Sequence, residues 1–245
     1  MRLTRICVGE PLEGRSTITL HGAAARHAGR VLRLKTGDPL RVFDGSGGEY
    51  AATVRNVGRG TVEVTLGDFV AEGPAPPLEI VLWQGVARGD RMDFTVQKAT
   101  ELGVDAILPV ITRRSVAQLS AERAGRRLRH WRALAASAAE QSGRTRLPEL
   151  FEPAPLATCL ATPARPGLRI VLDPDASRSL ASLSGERIGR LTLLAGPEGG
   201  LDDAERDAAV TAGFRPFHIG PRVLRTETAA IAALSIAQAL WGDLR

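Results

Sequence analysis

The chain has 245 residues, of which 44% are hydrophobic, so it can bury a sizeable core in one large domain or two ordinary ones. Its formal net charge of +5 and its pI of about 10.1 favour a polyanionic partner such as nucleic acid and argue against an enzyme that acts on small molecules alone. Two isolated cysteines and the lack of a long apolar run indicate neither a disulfide framework nor export nor a membrane span, so the cytoplasm is the expected compartment.

The first part of the chain, residues 1–72, has the pattern of a small β-rich domain with one short helix around residues 23–29. Turn signals at residues 37–38 and 44–48 flank the strand formers at 40–43 and separate them from those at 50–54, and a further turn precedes a strand at 61–66. The pattern predicts a meander that closes into a barrel.

A linker rich in proline, residues 73–77, follows this domain, because proline restricts the backbone and removes hydrogen-bond donors. Residues 78–245 then alternate between strand and helix patterns, which is typical of a parallel sheet covered by helices on both faces. Strands are predicted at 78–83, 106–110, 168–173, 190–195 and 214–219, and helices at 91–102, 121–142, 204–212 and 228–241.

Two loops follow the last two predicted strands. Residues 196–200 read Gly-Pro-Glu-Gly-Gly, and Asp202 and Glu205 have the spacing of a capping box that begins the next helix. The second loop leads through residues 223–228 to an apolar helix that Thr226 is expected to cap and that ends before Gly242. Both loops are therefore expected at the carboxyl ends of parallel strands and before helix N-termini, where ligands of α/β sheets bind.

These motifs carry a resemblance to a known family. Residues 30–38, 84–104, 114–116, 139–144 and the two loops at 196–200 and 219–229 resemble, in the same order, motifs of the SPOUT-class RNA methyltransferases. More narrowly, they are similar to the ribosomal RNA small subunit methyltransferase E family. The chain departs from the family pattern at Arg26-His27 and at Leu201-Asp202.

The resemblance implies methylation of a uridine at N3 in 16S rRNA, with S-adenosylmethionine as cofactor and 16S rRNA or the small ribosomal subunit as partner. It further implies an α/β fold in which a PUA-like β-barrel that binds RNA (1–72) precedes a SPOUT domain (78–245). That SPOUT domain is expected to contain a deep trefoil knot and to form a homodimer.

Candidate site residues follow from these motifs. For the cofactor they are Leu172, Leu194, Gly196, Pro197, Glu198, Gly199, Gly200, Ile219, Gly220, Val223, Leu224, Thr226 and Thr228. For RNA they are Arg5, Arg26, Arg30, Arg33, Lys35, Arg88, Lys98, Arg114 and Arg144.

The candidate catalytic residues are Arg225, Glu227 and Glu198. Arg225 is placed to stabilise negative charge on the uracil oxygens, and Glu198 or Glu227 to orient or accept the N3 proton. The alternatives are an ion pair for Arg225 and, for Glu227, a first-turn carboxylate favoured by the helix dipole.

Other interpretations remain open at this point. The basic segment 123–132 is either a solvated helix face or a surface for RNA, and the excess of arginine is equally typical of a GC-rich genome. The four histidines lack ligand spacing, so no metal is expected. A non-catalytic rRNA-binding or ribosome-assembly protein, a SPOUT enzyme with a different RNA target, and an α/β enzyme for small molecules are the competing functions.

Overall fold

The computed structural model describes residues 3–115, 121–163 and 165–244. The chain forms two compact units, Met1–Pro74 with Ala136–Leu147 and Ala75–Ala135 with Pro148–Arg245. The break after Pro74 lies inside the predicted linker, but Ala136–Leu147 belongs to the first unit, whereas the sequence placed it in the second domain. Its side chains explain this, since Glu140 accepts a hydrogen bond from the Cys7 amide (2.8 Å) and Thr145 accepts one from the Gly48 amide (3.0 Å).

The first unit is built on a five-stranded sheet. Its strands are β1 Arg5–Cys7, β2 Thr17–Leu20, β3 Pro39–Phe43, β4 Glu49–Val57 and β5 Val62–Val70. The strand order is β1-β3-β4-β5-β2, with β1 and β3 parallel and the other neighbours antiparallel. Alternate residues such as Ile18, Leu40, Val42, Val54 and Val64 fill the core, as the period of two along a strand requires.

The predicted closure of this sheet into a ring is not seen in the strand pairing. The path begins at β1 and ends at β2 with no pairing between these two edges in the described residues, so the sheet is a curled half-barrel. Register shifts in the β4–β5 pair, between Tyr50 and Ala52 and between Val54 and Asn56, bend the strands, because a bulge increases the local twist. The predicted helix is confirmed as α1 (Gly22–Arg26), which continues into a π-helical turn, His27–Val31.

The second unit is a parallel sheet with helices on both faces, as predicted. Its strands are β6 Glu79–Gly85, β7 Ala106–Ile111, β8 Glu149–Leu150, β9 Ala154–Pro155, β10 Leu168–Leu172, β11 Arg190–Ala195 and β12 Arg215–Phe217. Its helices are α2 Asp90–Glu101, α3 Ala121–Ser142, of which the last turns belong to the first unit, α4 Leu156–Ala161, α5 Asp203–Thr211 and α6 Thr226–Trp241. A short 3-10 turn covers Leu180–Leu183.

The strand order is β12-β10-β11-β6-β7-β8, and β9 also pairs with β7. All these pairs are parallel, so the carboxyl ends of β10, β11 and β12 meet at one edge. Leu193 packs on one face with residues of α2 and α6, and Leu194 packs on the other with residues of α4 and α5. Both faces are therefore covered.

Helix α6 is less uniformly buried than its composition predicts. Its buried residues include Ala230, Ala233, Leu234 and Ala237, whereas Thr228 is exposed. The knot expected from the resemblance concerns the threading of the chain and stays a prediction.

Candidate active site

A cavity of about 650 Å³ in the second unit lies at the carboxyl ends of β10, β11 and β12. Three loops form its wall: residues 173–175 after β10, 196–201 after β11, and 218–225 before α6. Most predicted cofactor residues line it, namely Leu172, Gly196, Pro197, Glu198, Gly199, Gly200, Ile219, Gly220, Val223, Leu224 and Thr226. The two loops singled out in the sequence therefore meet at one site.

Two predicted cofactor residues do not line this cavity. Leu194 is fully buried on the opposite face of the sheet, because successive residues of a strand point to opposite faces and its neighbours Leu193 and Ala195 occupy this one. Thr228 lies two residues beyond Thr226 on α6, and that offset turns it outward to solvent. Neither residue is therefore part of the cavity wall, and a contact of either with the cofactor stays a prediction.

The sequence reasoning missed the loop after β10. Asp173, Pro174 and Asp175 line the cavity, and Arg206 of α5 lies 3.4 Å from the Asp173 carboxylate. This carboxylate, despite some desolvation and together with Asp203, raises the pKa of Arg206 above its ordinary value. The signal was available, because polar residues directly after a buried parallel strand lie at the ligand-binding edge of the sheet.

Glycines allow the loops to approach one another closely. A Cβ on Gly85, at the end of β6, would lie 2.3 Å from the Pro197 amide nitrogen, and one on Gly196 would lie 3.1 Å from the Gly200 Cα. Gly200 has φ +69° and Gly220 φ +138°, which side chains rarely allow. Bulkier residues would thus displace the loop or fill the space that the cavity needs.

Thr226 has a different role from the predicted helix cap. Arg225 occupies the N-cap position without a side-chain cap, and Thr226 is the first residue of α6. The Thr226 hydroxyl donates to the Gly196 carbonyl oxygen (2.5 Å) and accepts from Gln84 Nε2 (3.0 Å). This buried hydroxyl ties the start of α6 to the Gly-rich loop, and Gln84, which the sequence analysis did not single out, orients it.

Glu198 is held as a carboxylate. Desolvation opposes this, but hydrogen bonds from the Arg88 amide (2.8 Å) and the Arg91 guanidinium (2.7 Å) outweigh it and lower the pKa of Glu198 below its ordinary value. A carboxylate with a low pKa is a weak proton acceptor. The hydrogen bonds of Glu198 instead fix the loop at residues 196–200, the Gly-rich loop, to the start of α2.

Glu227 has a different environment in the first turn of α6. Its Oε1 lies 4.0 Å from Arg91 Nε, and its Oε2 is buried with no hydrogen-bond partner in the described part of the chain. Its side chain is 14% exposed, and it does not line the cavity. Both hydrogen bonds to Glu198 are accepted by its Oε1, whereas no hydrogen bond within the described ranges holds the buried Oε2 of Glu227.

Arg225 lines the cavity and is exposed. Among residues 3–115, 121–163 and 165–244 no carboxylate forms an ion pair with it, so the alternative of a structural ion pair gains no support. Its guanidinium lies at the N-terminus of α6 and is available to a ligand.

The predicted RNA contacts divide into two groups. Arg26, Arg30, Arg33 and Lys35 are exposed around the end of α1, as a phosphate-binding surface requires. Arg5, in contrast, is 14% exposed and paired with Glu49 at 2.7 Å, because β1 places it beside β3 and β4. Arg5 is therefore engaged within the first unit, and its contact with RNA stays a prediction.

Other residues of the predicted RNA set form hydrogen bonds or ion pairs within the protein. Arg114 donates to the Gly199 carbonyl oxygen at 2.7 Å, Lys98 pairs with Glu101 at 2.8 Å, and the Arg144 carbonyl oxygen accepts from Arg5. Arg88 is exposed, and its amide anchors Glu198.

The basic segment 123–132 presents several exposed arginines, while Trp131 is buried and donates to Asp93. Both interpretations of that segment, a solvated helix face and an RNA surface, remain.

No group of three or more His, Cys, Asp or Glu side chains that could hold a metal ion occurs among the described residues. Within the same ranges, no helix combines the length and the apolar character that a membrane span needs.

Comparisons with known proteins agree with this architecture. The chain matches the sequence model of an RNA methyltransferase domain over residues 74–238 and that of an RNA methyltransferase PUA domain over residues 20–67. Ribosomal RNA small subunit methyltransferase E of Buchnera aphidicola subsp. Schizaphis graminum is 30% identical over 243 residues, which cover 99% of this chain and 98% of that protein. The chain belongs to the ribosomal RNA small subunit methyltransferase E family.

Solved structures of similar proteins extend the comparison. A Legionella pneumophila methyltransferase in complex with S-adenosylmethionine has a TM-score of 0.93 at 35% identity, with full coverage of both chains. Ribosomal RNA small subunit methyltransferase E of Neisseria gonorrhoeae, also bound to S-adenosylmethionine, has a TM-score of 0.90 at 33% identity, again over both whole chains. The α/β architecture with a PUA-like first domain, expected for a member of the methyltransferase E family, is thus confirmed.

Proposed function

We propose that this chain is an S-adenosylmethionine-dependent rRNA methyltransferase that modifies N3 of a uridine in the small ribosomal subunit. The observation that carries the proposal is the cavity where the Gly-rich loop and the start of α6 meet, in a chain of the methyltransferase E family. The two similar structures that contain S-adenosylmethionine support the choice of cofactor.

The residues of the cavity fit this cofactor. Its volume of about 650 Å³ falls within the roughly 300–1,000 Å³ of small-molecule sites. Leu172, Ile219 and Leu224 provide apolar wall for an adenine ring, and the loop at 196–200 provides backbone donors and acceptors. Asp173 and Asp175 supply carboxylates for hydroxyl groups or for positive charge. When bound, the cofactor supplies the electrophilic methyl group.

Uracil N3 carries a proton near neutral pH and must lose it for the nitrogen to become a nucleophile. In our proposal Glu227 accepts that proton, directly or through a water molecule, since its Oε2 has no hydrogen-bond partner among the described residues. Arg225 stabilises the negative charge that develops on the uracil carbonyl oxygens. Glu198 is the weaker candidate base, because Arg88 and Arg91 hold its carboxylate.

RNA is held by the basic surface around α1, comprising Arg26, Arg30, Arg33 and Lys35. Neutralising phosphates releases counterions, so affinity for RNA should fall steeply as salt rises. Either naked 16S rRNA or the assembled small subunit is the substrate in this proposal.

The decisive experiment uses the purified protein, S-adenosylmethionine, and either naked 16S rRNA or small subunits from a strain that lacks the gene. Nuclease digestion and mass spectrometry should identify N3-methyluridine at one position. Arg225→Ala should form this product far more slowly, while Arg187→Ala, which removes an exposed arginine outside the cavity, should form it at the wild-type rate.

The other outcomes separate the competing functions. Methylation of a different base or RNA would leave a methyltransferase with another target. Saturable cofactor binding without methylation of any RNA would contradict the proposed chemistry, and the absence of cofactor binding would favour a non-catalytic RNA-binding or ribosome-assembly protein.

A further inference from the structure

A second cavity, of about 280 Å³, lies within the first unit and is separate from the proposed active site. It is lined by Leu12, Glu13, Phe43, Asp44, Ser46, Gly47, Gly48, Tyr50 and Phe69. The sequence contains ten aromatic residues, and three of them are in this lining, including the single tyrosine. The rings of Tyr50 and Phe69 are in contact, with centroids 5.0 Å apart, and Phe69 is 53% exposed.

Glycines keep this cavity open. A Cβ on Gly48 would lie 2.3 Å from Phe69 Cζ, and one on Gly47 would lie 2.5 Å from an Arg146 nitrogen. Both have positive φ, at +77° and +115°. The loop between β3 and β4 therefore has glycines where it contacts the exposed Phe69 ring.

The lining is acidic in a chain that is basic overall. Glu13 and Asp44 contribute carboxylates, and the lining contains no Lys, Arg or His. Desolvation opposes ionisation of Asp44, but hydrogen bonds from Ser46 and from the Leu12 amide lower its pKa below the ordinary value. Within the described ranges neither carboxylate forms an ion pair. Arg146, whose side chain lies beside Gly47, forms an ion pair with Glu72, with 3.0 Å between Nη2 and Oε2.

Aromatic faces beside unneutralised carboxylates suit a cation, because the ring quadrupole and the carboxylates both attract positive charge. The Phe43 ring already receives the Arg5 guanidinium at 5.4 Å from its centroid. The cavity is smaller than the roughly 300–1,000 Å³ of small-molecule sites, which fits one side chain better than a nucleotide. Its two carboxylates would also repel a phosphate.

We propose that this cavity, which we call the aromatic-acidic pocket, binds an arginine side chain of a basic polypeptide. The methyltransferase would thereby contact a protein partner through its first unit, in addition to RNA. The site is independent of the proposed cofactor cavity, so its test does not depend on methylation.

The test uses the full-length protein labelled with ¹⁵N and the tripeptide acetyl-Gly-Arg-Gly-amide. Its neutral analogue, in which citrulline replaces arginine, is the control probe. The amide signals of Gly47 and Gly48 should shift saturably with the arginine peptide and far less with the citrulline peptide. No saturable shift, or equal binding of the two peptides, would overturn the proposal.

Two further probes separate the possible occupants. Spermidine that binds more tightly than the arginine peptide would assign the pocket to a free polyamine. Guanosine monophosphate that binds more tightly would assign it to a nucleobase. Either result would overturn the protein side chain as occupant.

Phe69→Leu keeps an apolar side chain but removes the π-face, and should weaken the arginine peptide roughly 3- to 10-fold. Phe94→Leu, at a comparably exposed ring (44%) of α2, is the matched control and should leave this affinity unchanged. Glu13→Gln should also weaken binding and reduce its dependence on salt. Unchanged cofactor affinity in all three variants would establish that they are folded, and full affinity for the peptide in both pocket variants would contradict the assignment.

Discussion

Arg225, Glu198 and Glu227 surround the same loops, but their partners give them different chemistry. Glu198 is fixed by Arg88 and Arg91, whereas Arg225 has no ion pair within the described ranges and faces the cavity. A guanidinium that no carboxylate of the protein neutralises can respond to negative charge that develops on the substrate. Arg225 is therefore the residue whose removal should affect the rate most.

We expect Arg225→Ala to lower the single-turnover methylation rate by roughly 100-fold or more, the scale seen when one preorganised donor is lost. Affinity for S-adenosylmethionine, measured by calorimetry, should change little, because the proposed interaction forms only as N3 loses its proton. Raising the pH should partly restore the rate. A wild-type rate at saturating RNA and cofactor would show that Arg225 is not catalytic.

A second test, at Gly85, asks whether the position of the Gly-rich loop determines cofactor affinity. Gly85→Ala should weaken S-adenosylmethionine binding at least tenfold, because the new Cβ would lie 2.3 Å from the Pro197 amide and must displace the Gly-rich loop. Gly185→Ala is the matched control, since no atom lies within 4 Å of its added Cβ. Equal cofactor affinity in the two variants, measured by calorimetry, would show that the loop position does not determine binding.

At the scale of elements, the hydrogen bonds of Glu198 join the loop at 196–200 to the start of α2, and their contribution to the stability of the fold should depend on pH. The pKa of Glu198 is lower in the folded protein than its ordinary value of 4.5, so the carboxylate stabilises the fold above that value. This contribution is lost as the pH falls through the folded-state pKa. Melting temperatures between pH 7 and pH 3 should therefore fall more steeply for the wild type than for Glu198→Gln, and parallel curves would contradict the assignment.

A buried side-chain amide of α6 forms a hydrogen bond to the end of α2. Gln238 Nε2 donates to the Leu102 carbonyl oxygen at 2.7 Å, and Gln238 is 1% exposed. Gln238→Leu would leave that carbonyl without its donor, and we expect a loss of about 1–3 kcal/mol in the free energy of unfolding, measured with urea. Gln97→Leu, at an exposed position of α2, should cost far less.

The elements show which features local sequence patterns can predict. Helix α5 begins at the predicted capping box, with Asp202 and Glu205 bonded reciprocally to each other's amides, because capping depends on four adjacent residues. Strands β8 and β9 have two residues each and carry no periodic signal. The contact of Arg91 with Glu198 joins residues far apart in sequence, and no local pattern encodes such a pair.

At the scale of the whole molecule, the homodimer remains a prediction. Helix α6 keeps partly exposed apolar residues, including Ile231, Ile236 and Leu240, beyond those that the sheet covers. Light scattering at micromolar concentration should give twice the chain mass. A monomer mass that does not change with concentration would contradict it.

A further prediction at this scale concerns the proposed RNA-binding surface around α1. Arg30→Ala should reduce the slope of log affinity against log salt by roughly 0.7–0.9, the contribution of one phosphate contact. Arg187→Ala, outside the predicted RNA set, should leave the slope unchanged. Identical slopes for wild type and Arg30→Ala would remove Arg30 from the RNA surface.

The first unit includes Ala136–Leu147, so it cannot be completely folded during translation until these residues have been synthesised. Residues 1–74 are synthesised before Glu140, Thr145 and Arg146 exist, and at about 5–20 residues per second this delay is roughly 3–14 s. During that time the Cys7 and Gly48 amides and the Glu72 carboxylate lack the partners they have in the finished chain. A nascent chain that ends at Pro74 should therefore be cut by protease faster than the same residues in the complete protein.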